Sequence, residues 1–294
     1  MRINGTLRHA LRAWIAVLSG LAAWGCGAAE TADLVVRDET GHLSAARLEQ
    51  LAQTAQSDLG RIVAFWEVTP RVAEFGKIHV VFENPRKETY SAVFYWAPMG
   101  KSKIRTIAVF GVNGTPQMLA HKLTHAVFPN PDKLIRNMMG IPMEVRFGNK
   151  LTFPMCGFDN DAWVLALRRA NAYIPLAALG SDHGSWGMST QGLLTIVIDA
   201  ARQHASYAEA GSFGTYLLAT HGMEKVRTFN RLSRDNDRHW QEVFAQGLPE
   251  LEKNWLRALE ATAPARASQV TQLSELLANN PMYACARAQQ LATQ

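Results

Sequence analysis

His121-Lys122-Leu123-Thr124-His125 is the stretch on which the reading of this chain turns. On a helix, residues four apart lie on one face, so the two imidazoles sit where they can share a metal ion. At about 100° per residue, Met118, His121 and His125 fall within about 60° of one another. Leu119, Leu123, Ala126 and Val127 form an adjoining apolar arc, and Lys122 falls between the two. Gln117, Ala120 and Thr124 fill the remaining face, so the helix reads as largely buried and Lys122 is not expected to be freely solvated.

Upstream, the hydrophobic period sets the local structure. Ala32–Val36 suits a short strand. Leu48, Leu51, Ala55, Leu59, Ile62 and Val63 recur at helical spacing and predict a long amphipathic helix over Leu43–Glu67, closed by Thr69-Pro70. Lys77–Phe82, Ala92–Trp96 and Thr106–Val112 are short runs rich in β-branched and aromatic residues, and predict three strands. Asn113-Gly114 reads as a turn, and Thr115-Pro116 as a helix entry with a hydroxyl cap and proline in the first turn.

Downstream, Pro129–Leu151 reads as irregular chain in which Pro142 opens a short helical turn holding Glu144. Helices are predicted over Asp159–Tyr173, Ser189–Ala205, Tyr207–His221, Pro249–Ala261, Ser268–Leu277 and Tyr283–Leu291. The expected fold class is α+β, a small sheet followed by the histidine helix and a mainly helical C-terminal half.

The leader, residues 1–28, has the pattern of a secretory signal. Arg2, Arg8 and Arg12 precede the apolar segment Ala13–Ala23, and small residues follow. That segment is shorter than the roughly 20 residues a membrane span needs. Cys26 faintly matches a lipoprotein cleavage box, so a lipid anchor there and ordinary cleavage near Ala29 both remain open. The expected location is exported, either periplasmic or anchored to a membrane through Cys26. Net charge is +5, and without the leader's three arginines +2, which is no nucleic-acid signature. Cys156 and Cys285 pair in an oxidising compartment or remain two unrelated buried thiols.

A hydrolytic zinc site needs three protein ligands and one open position for water. Eighteen residues, 126–143, separate His125 from Glu144, which offers itself as the third ligand. Two histidines on one helix with a glutamate at that distance resemble the gluzincin metallopeptidases, in particular the aminopeptidase branch. The order of strands, histidine helix, glutamate and helical half resembles them too. The stretch Tyr207–Phe213 with Tyr216–Leu218 and His221–Lys225 is similar to the family segment whose tyrosine holds the developing oxyanion. The resemblance spans roughly residues 75 to 260.

That resemblance implies a zincin-like fold over residues 29–294, with an α/β part (29–114) and a helical part (115–294). It further implies Zn²⁺ held by His121, His125 and Glu144, Tyr207 facing the substrate carbonyl, and a peptide or protein as partner. Thr106–Val112 would be the substrate-side edge strand. Two departures stand against it: Val145 follows Glu144 where the family has glycine, and Lys122 occupies the position of the general-base glutamate. Losing a general base costs roughly 10²–10⁴ in rate. Two readings follow: a zinc peptidase-like protein with impaired catalysis, or a pseudo-peptidase serving as a binding or scaffold module of the cell envelope. In a metal-free cleft Lys122 would pair with Glu144 or Asp161.

Overall fold

The computed structural model describes residues 27–84, 92–100, 102–110, 118–191 and 194–294. The leader through Cys26, the Asn113-Gly114 turn and the Thr115-Pro116 helix entry lie outside the described residues.

A five-stranded sheet forms one side of the molecule. Its strands are β1 (Ala28–Glu30), β2 (Leu34–Asp38), β3 (Ile78–Glu83), β4 (Ala92–Met99) and β5 (Ser102–Phe110). They run in the order β1-β2-β3-β5-β4, with the inner pairs β2–β3 and β3–β5 parallel and the outer pairs antiparallel. Strand β5 is therefore internal, flanked by β3 and β4, and the edge beside the histidine helix is β4 rather than β5. Buried residues on both faces of β3 and β5 (Val80, Val81, Ile107, Ala108) explain their nearly continuous apolar runs.

Helix α1 (Ala45–Phe65) starts at Ser44, whose hydroxyl accepts from Arg47 N at 3.2 Å. It buries Leu48, Leu51, Ala55, Leu59 and Ile62, the stripe its sequence period requires. After a single turn, α2 (Val72–Phe75), and strands β3–β5 comes the histidine helix α3 (Leu119–Val127), in which every residue is buried. Buried Arg105 of β5 fastens its end: the guanidinium donates to Ala126 O at 3.2 Å and to Pro70 O and Gly76 O at 2.6 Å each. A cation at a helix C-terminus also complements the helix dipole.

Pro129–Leu151 is mostly a helix, contrary to the irregular segment its composition suggests. Helix α4 (Lys133–Phe147) carries Pro142 in its interior. Proline costs such a helix the bond from its own nitrogen to the carbonyl four residues back, that of Met138. The Met138 carbonyl packs directly against Gly214, where any side chain would collide with it. The helix start is strongly fixed, because buried Asp132 caps Leu134 N (2.9 Å) and Ile135 N (3.2 Å) and pairs with Arg238 (2.7 Å).

The remaining elements are α5 (Asn160–Arg169), a hairpin of β6 (Met188–Gln191) and β7 (Leu194–Val197), and helices α6 (Ala200–His221), α7 (Met223–Leu232), α8 (Trp240–Phe244), α9 (Leu248–Thr262), α10 (Ala267–Asn279) and α11 (Ala284–Ala292). The hairpin replaces the first part of the helix predicted over Ser189–Ala205. Its second strand contains Thr195-Ile196-Val197, a β-branched run that loses side-chain freedom in a helix. Tyr207 accordingly sits inside the long helix α6 rather than at a helix start. The architecture is mixed α/β, a small sheet followed by helices, compatible with the α+β class. No helix among the described residues is long and apolar enough to cross a membrane.

A disulfide joins Cys156 to Cys285 across 129 residues, with Cα atoms 5.3 Å apart, and ties α11 to the loop before α5. Closing a loop of that length removes about 5 kcal/mol of unfolded-state entropy in the chain-entropy picture. Cys285→Ser should therefore lower unfolding free energy by about 2–5 kcal/mol in urea titrations, and a reductant should do the same to the native chain. Equal midpoints with and without reductant would show that the bridge does not constrain the fold.

Candidate functional site at the histidine pair

Helices α3 and α4 pack antiparallel, and one face of α4 meets the histidines. Lys133, Arg136, Asn137, Gly140 and Glu144 recur on that face at helical spacing. His121 and His125 stand edge to face, ring centroids 4.3 Å apart, against Gly140. A methyl group added to Gly140 would lie 2.8 Å from His121 Nε2 and 3.0 Å from His125 Nε2, so only glycine lets α4 come this close.

Each Nε2 atom already has a partner on α4. His125 Nε2 lies 3.0 Å from the backbone carbonyl of Arg136, which can only accept, so this nitrogen carries the proton. His121 Nε2 lies 3.1 Å from Asn137 Oδ1, an arrangement that leaves Asn137 Nδ2 and His121 Nδ1 buried without hydrogen-bond partners. Burial, together with the positive charges of Lys122 and Arg136, holds both imidazoles well below their ordinary pKa, so both are neutral.

Glu144 is buried within the same helix pair but is turned to a different task. One carboxylate oxygen accepts the backbone N–H of His121 at 2.9 Å. The other accepts from Asn149 N at 3.3 Å and Thr152 Oγ1 at 3.4 Å. An anion placed on an unsatisfied N–H in the first turn of α3 satisfies that donor and interacts favourably with the positive end of the helix dipole. Desolvation nevertheless raises the carboxyl above its ordinary pKa, outweighing the two backbone N–H bonds that lower it.

A zinc ion needs its donors at 2.0–2.3 Å from one point, with histidine presenting a bare nitrogen. The residues here do not fit that requirement as they stand. Both Nε2 atoms face acceptors and the carboxylate faces a backbone amide. Among the described residues the one compact group of three candidate donors is Cys156, His204 and Cys285, and its two sulfurs form the disulfide.

The structure does bring other sequence-marked residues together. Lys122, His125 and Tyr207 line one small cavity of about 70 Å³ with Lys133, Arg136 and Asn137, bordered by Val93 and Phe94 of edge strand β4 and by His183. Lys122 is 6% exposed, and no ion pair joins it to Glu144 or Asp161. Asp161 instead accepts from Ser212 Oγ at 2.6 Å and pairs with Arg266. Burial first, then the charge of Arg136, brings Lys122 down to about 7, and Glu144 offsets only part of this. Tyr207 packs on Phe153 (5.1 Å) and Trp186 (5.3 Å) and is pushed up to about 12 by burial. A wider cavity of about 470 Å³ lies away from these residues, between Val68 and Arg234.

Sequence reasoning missed Lys133, Arg136, Asn137 and Gly140. Their spacing was there to be read, but Pro142 and the loop-like composition of the flanks concealed the helix that gives it meaning. Comparison with known protein families, curated proteins and solved structures gave no match.

The capping role of Glu144 has a specific consequence. Glu144→Ala leaves the His121 amide buried without an acceptor, which costs about 1–3 kcal/mol. Urea titration should show that loss, with zinc affinity by calorimetry equal to that of the native chain. A variant as stable as the native chain but with weakened zinc binding would make Glu144 a ligand instead.

Proposed function

We propose that this chain is a metal-independent binding protein on a peptidase-like scaffold, exported to an oxidising compartment, which holds a peptide or protein ligand at the cavity over Lys122. The observation that carries this reading is the engagement of all three expected ligands: Nε2 of His125 with Arg136 O, Nε2 of His121 with Asn137 Oδ1, and Glu144 with His121 N. Lys122 supports it as well. A protonated amine beside the histidine pair would repel a metal ion, and in either protonation state Lys122 supplies no carboxylate base. The Cys156–Cys285 bridge supports the compartment, since such bridges persist where thiols are oxidised.

The hydrolytic reading retains the eighteen-residue spacing and Tyr207 at the cavity. It requires Glu144 to leave the His121 amide and both imidazoles to leave their acceptors on α4. Even then the missing base withholds roughly 10²–10⁴ of rate.

Metal analysis of the purified native chain, together with a peptide-library assay of native and Lys122→Glu proteins, decides between the readings. We expect substoichiometric zinc and no cleavage by the native chain. About one zinc per chain, lost when His121 and His125 are both changed to Ala, would overturn the proposal. Peptide cleavage by the native chain at the rate of Lys122→Glu would overturn it too.

A further inference from the structure

The cavity over Lys122 is lined by two lysines and an arginine, Lys122, Lys133 and Arg136, and no carboxylate lines it among the described residues. Lys133 is 2% exposed. Its amine lies 3.5 Å from His183 Nδ1 and 3.4 Å from Met188 Sδ, and 5.2 and 5.8 Å from the ring centroids of Trp186 and Tyr207. Two of its three donors thus face a neutral imidazole nitrogen and a thioether sulfur at long range, and the aromatic faces attract a cation without accepting a full hydrogen bond. Asp182, the carboxylate that acts on it electrostatically, is turned to Ser185 N at 2.8 Å. Lys122 enters the same cavity from α3, again without a carboxylate partner among the described residues. Arg136 adds to the positive potential at both lysines.

Burial and the charge of Arg136 hold both amines down, Lys122 to about 7 and Lys133 to about 6, and no carboxylate lining the cavity among the described residues offsets this, whereas proteins ordinarily pair buried charged groups. The cavity's 70 Å³ is several times the ~10–15 Å³ a single water needs, which leaves room for a group of a few heavy atoms. Asn137 and Tyr207 add neutral hydrogen-bonding groups to the same wall. We propose that this cavity is an oxyanion site, in which Lys122 and Lys133 together bind the carboxylate or phosphate group of a ligand. The inference rests on the binding reading above and names the chemistry of its ligand. The anionic group enters between Lys122 and Lys133, and the rest of the ligand leaves past Val93 and Phe94 of β4. The lysine at position 122 is then the residue that gives the cavity its specificity, in place of a catalytic base.

Calorimetric titration of the full chain with sodium acetate and with sodium phosphate, at constant ionic strength set with chloride, tests this. One saturable site is expected for at least one of the two anions, and the stronger response tells carboxylate from phosphate. Lys122→Met and Lys133→Met, which keep most of the buried volume, should each weaken it by about tenfold or more, the loss of one charge-assisted hydrogen bond. The surface variant Lys77→Met should bind as the native chain does. Neither anion binding more tightly than chloride would overturn the site, as would equal binding by native and both buried-lysine variants. Should a methionine variant fail to fold, the native titration against chloride still decides. Zinc content and cleavage do not enter this test: a chain that cleaves peptides and binds phosphate would remove the non-hydrolytic reading and leave the oxyanion site standing.

Discussion

The close approach of α3 to α4 at Gly140 is the contact on which the rest of the site depends. Without a side chain at that position, the two imidazoles seat directly against the backbone of α4. That contact brings their Nε2 atoms to Arg136 O and Asn137 Oδ1 and places Glu144 at the first turn of α3. It also fixes which way Lys122 faces. With the histidines turned to α4, the next residue along α3 opens into the cavity bordered by β4 and Tyr207.

The surrounding structure holds this helix pair from several sides. Arg105 secures the C-terminal end of α3 to the loops beside the sheet, and Asp132 with Arg238 secures the start of α4. Gly211 and Gly214 let α6 lie against α4, so that Tyr207, one turn earlier on α6, reaches the cavity. A lysine-lined cavity walled by such elements is pre-organised, and pre-organisation lowers the ordering cost of binding.

Much of this was legible from residues alone. Helical spacing placed His121 and His125 on one face, and the arcs around them correctly implied a buried helix with Lys122 withheld from water. The long helix α1 and strands β3 to β5 followed from hydrophobic period, and the disulfide was one of two open alternatives for the cysteines. What spacing could not reveal is which atom each side chain faces. The interval from His125 to Glu144 brings that carboxylate to α3, but to its backbone rather than to the imidazole nitrogens. Pro142 hid helix α4 because a proline ordinarily ends a helix, and here the carbonyl it deprives faces a glycine on α6. The β6–β7 hairpin escaped for a related reason: a short apolar run adjoining a true helix shares its composition, and only the β-branched residues mark the change.

His121 and His125 face acceptors on α4 through their Nε2 atoms, and the proposed reading makes them hydrogen-bond donors there in place of metal ligands. Nitrogen-15 NMR of the two imidazoles tests it most directly, because it reports which ring nitrogen carries the proton. Both rings should be neutral with the proton on Nε2, and one equivalent of zinc should leave their resonances in place. A bare Nε2 on both rings, shifting when zinc is added, would contradict the account.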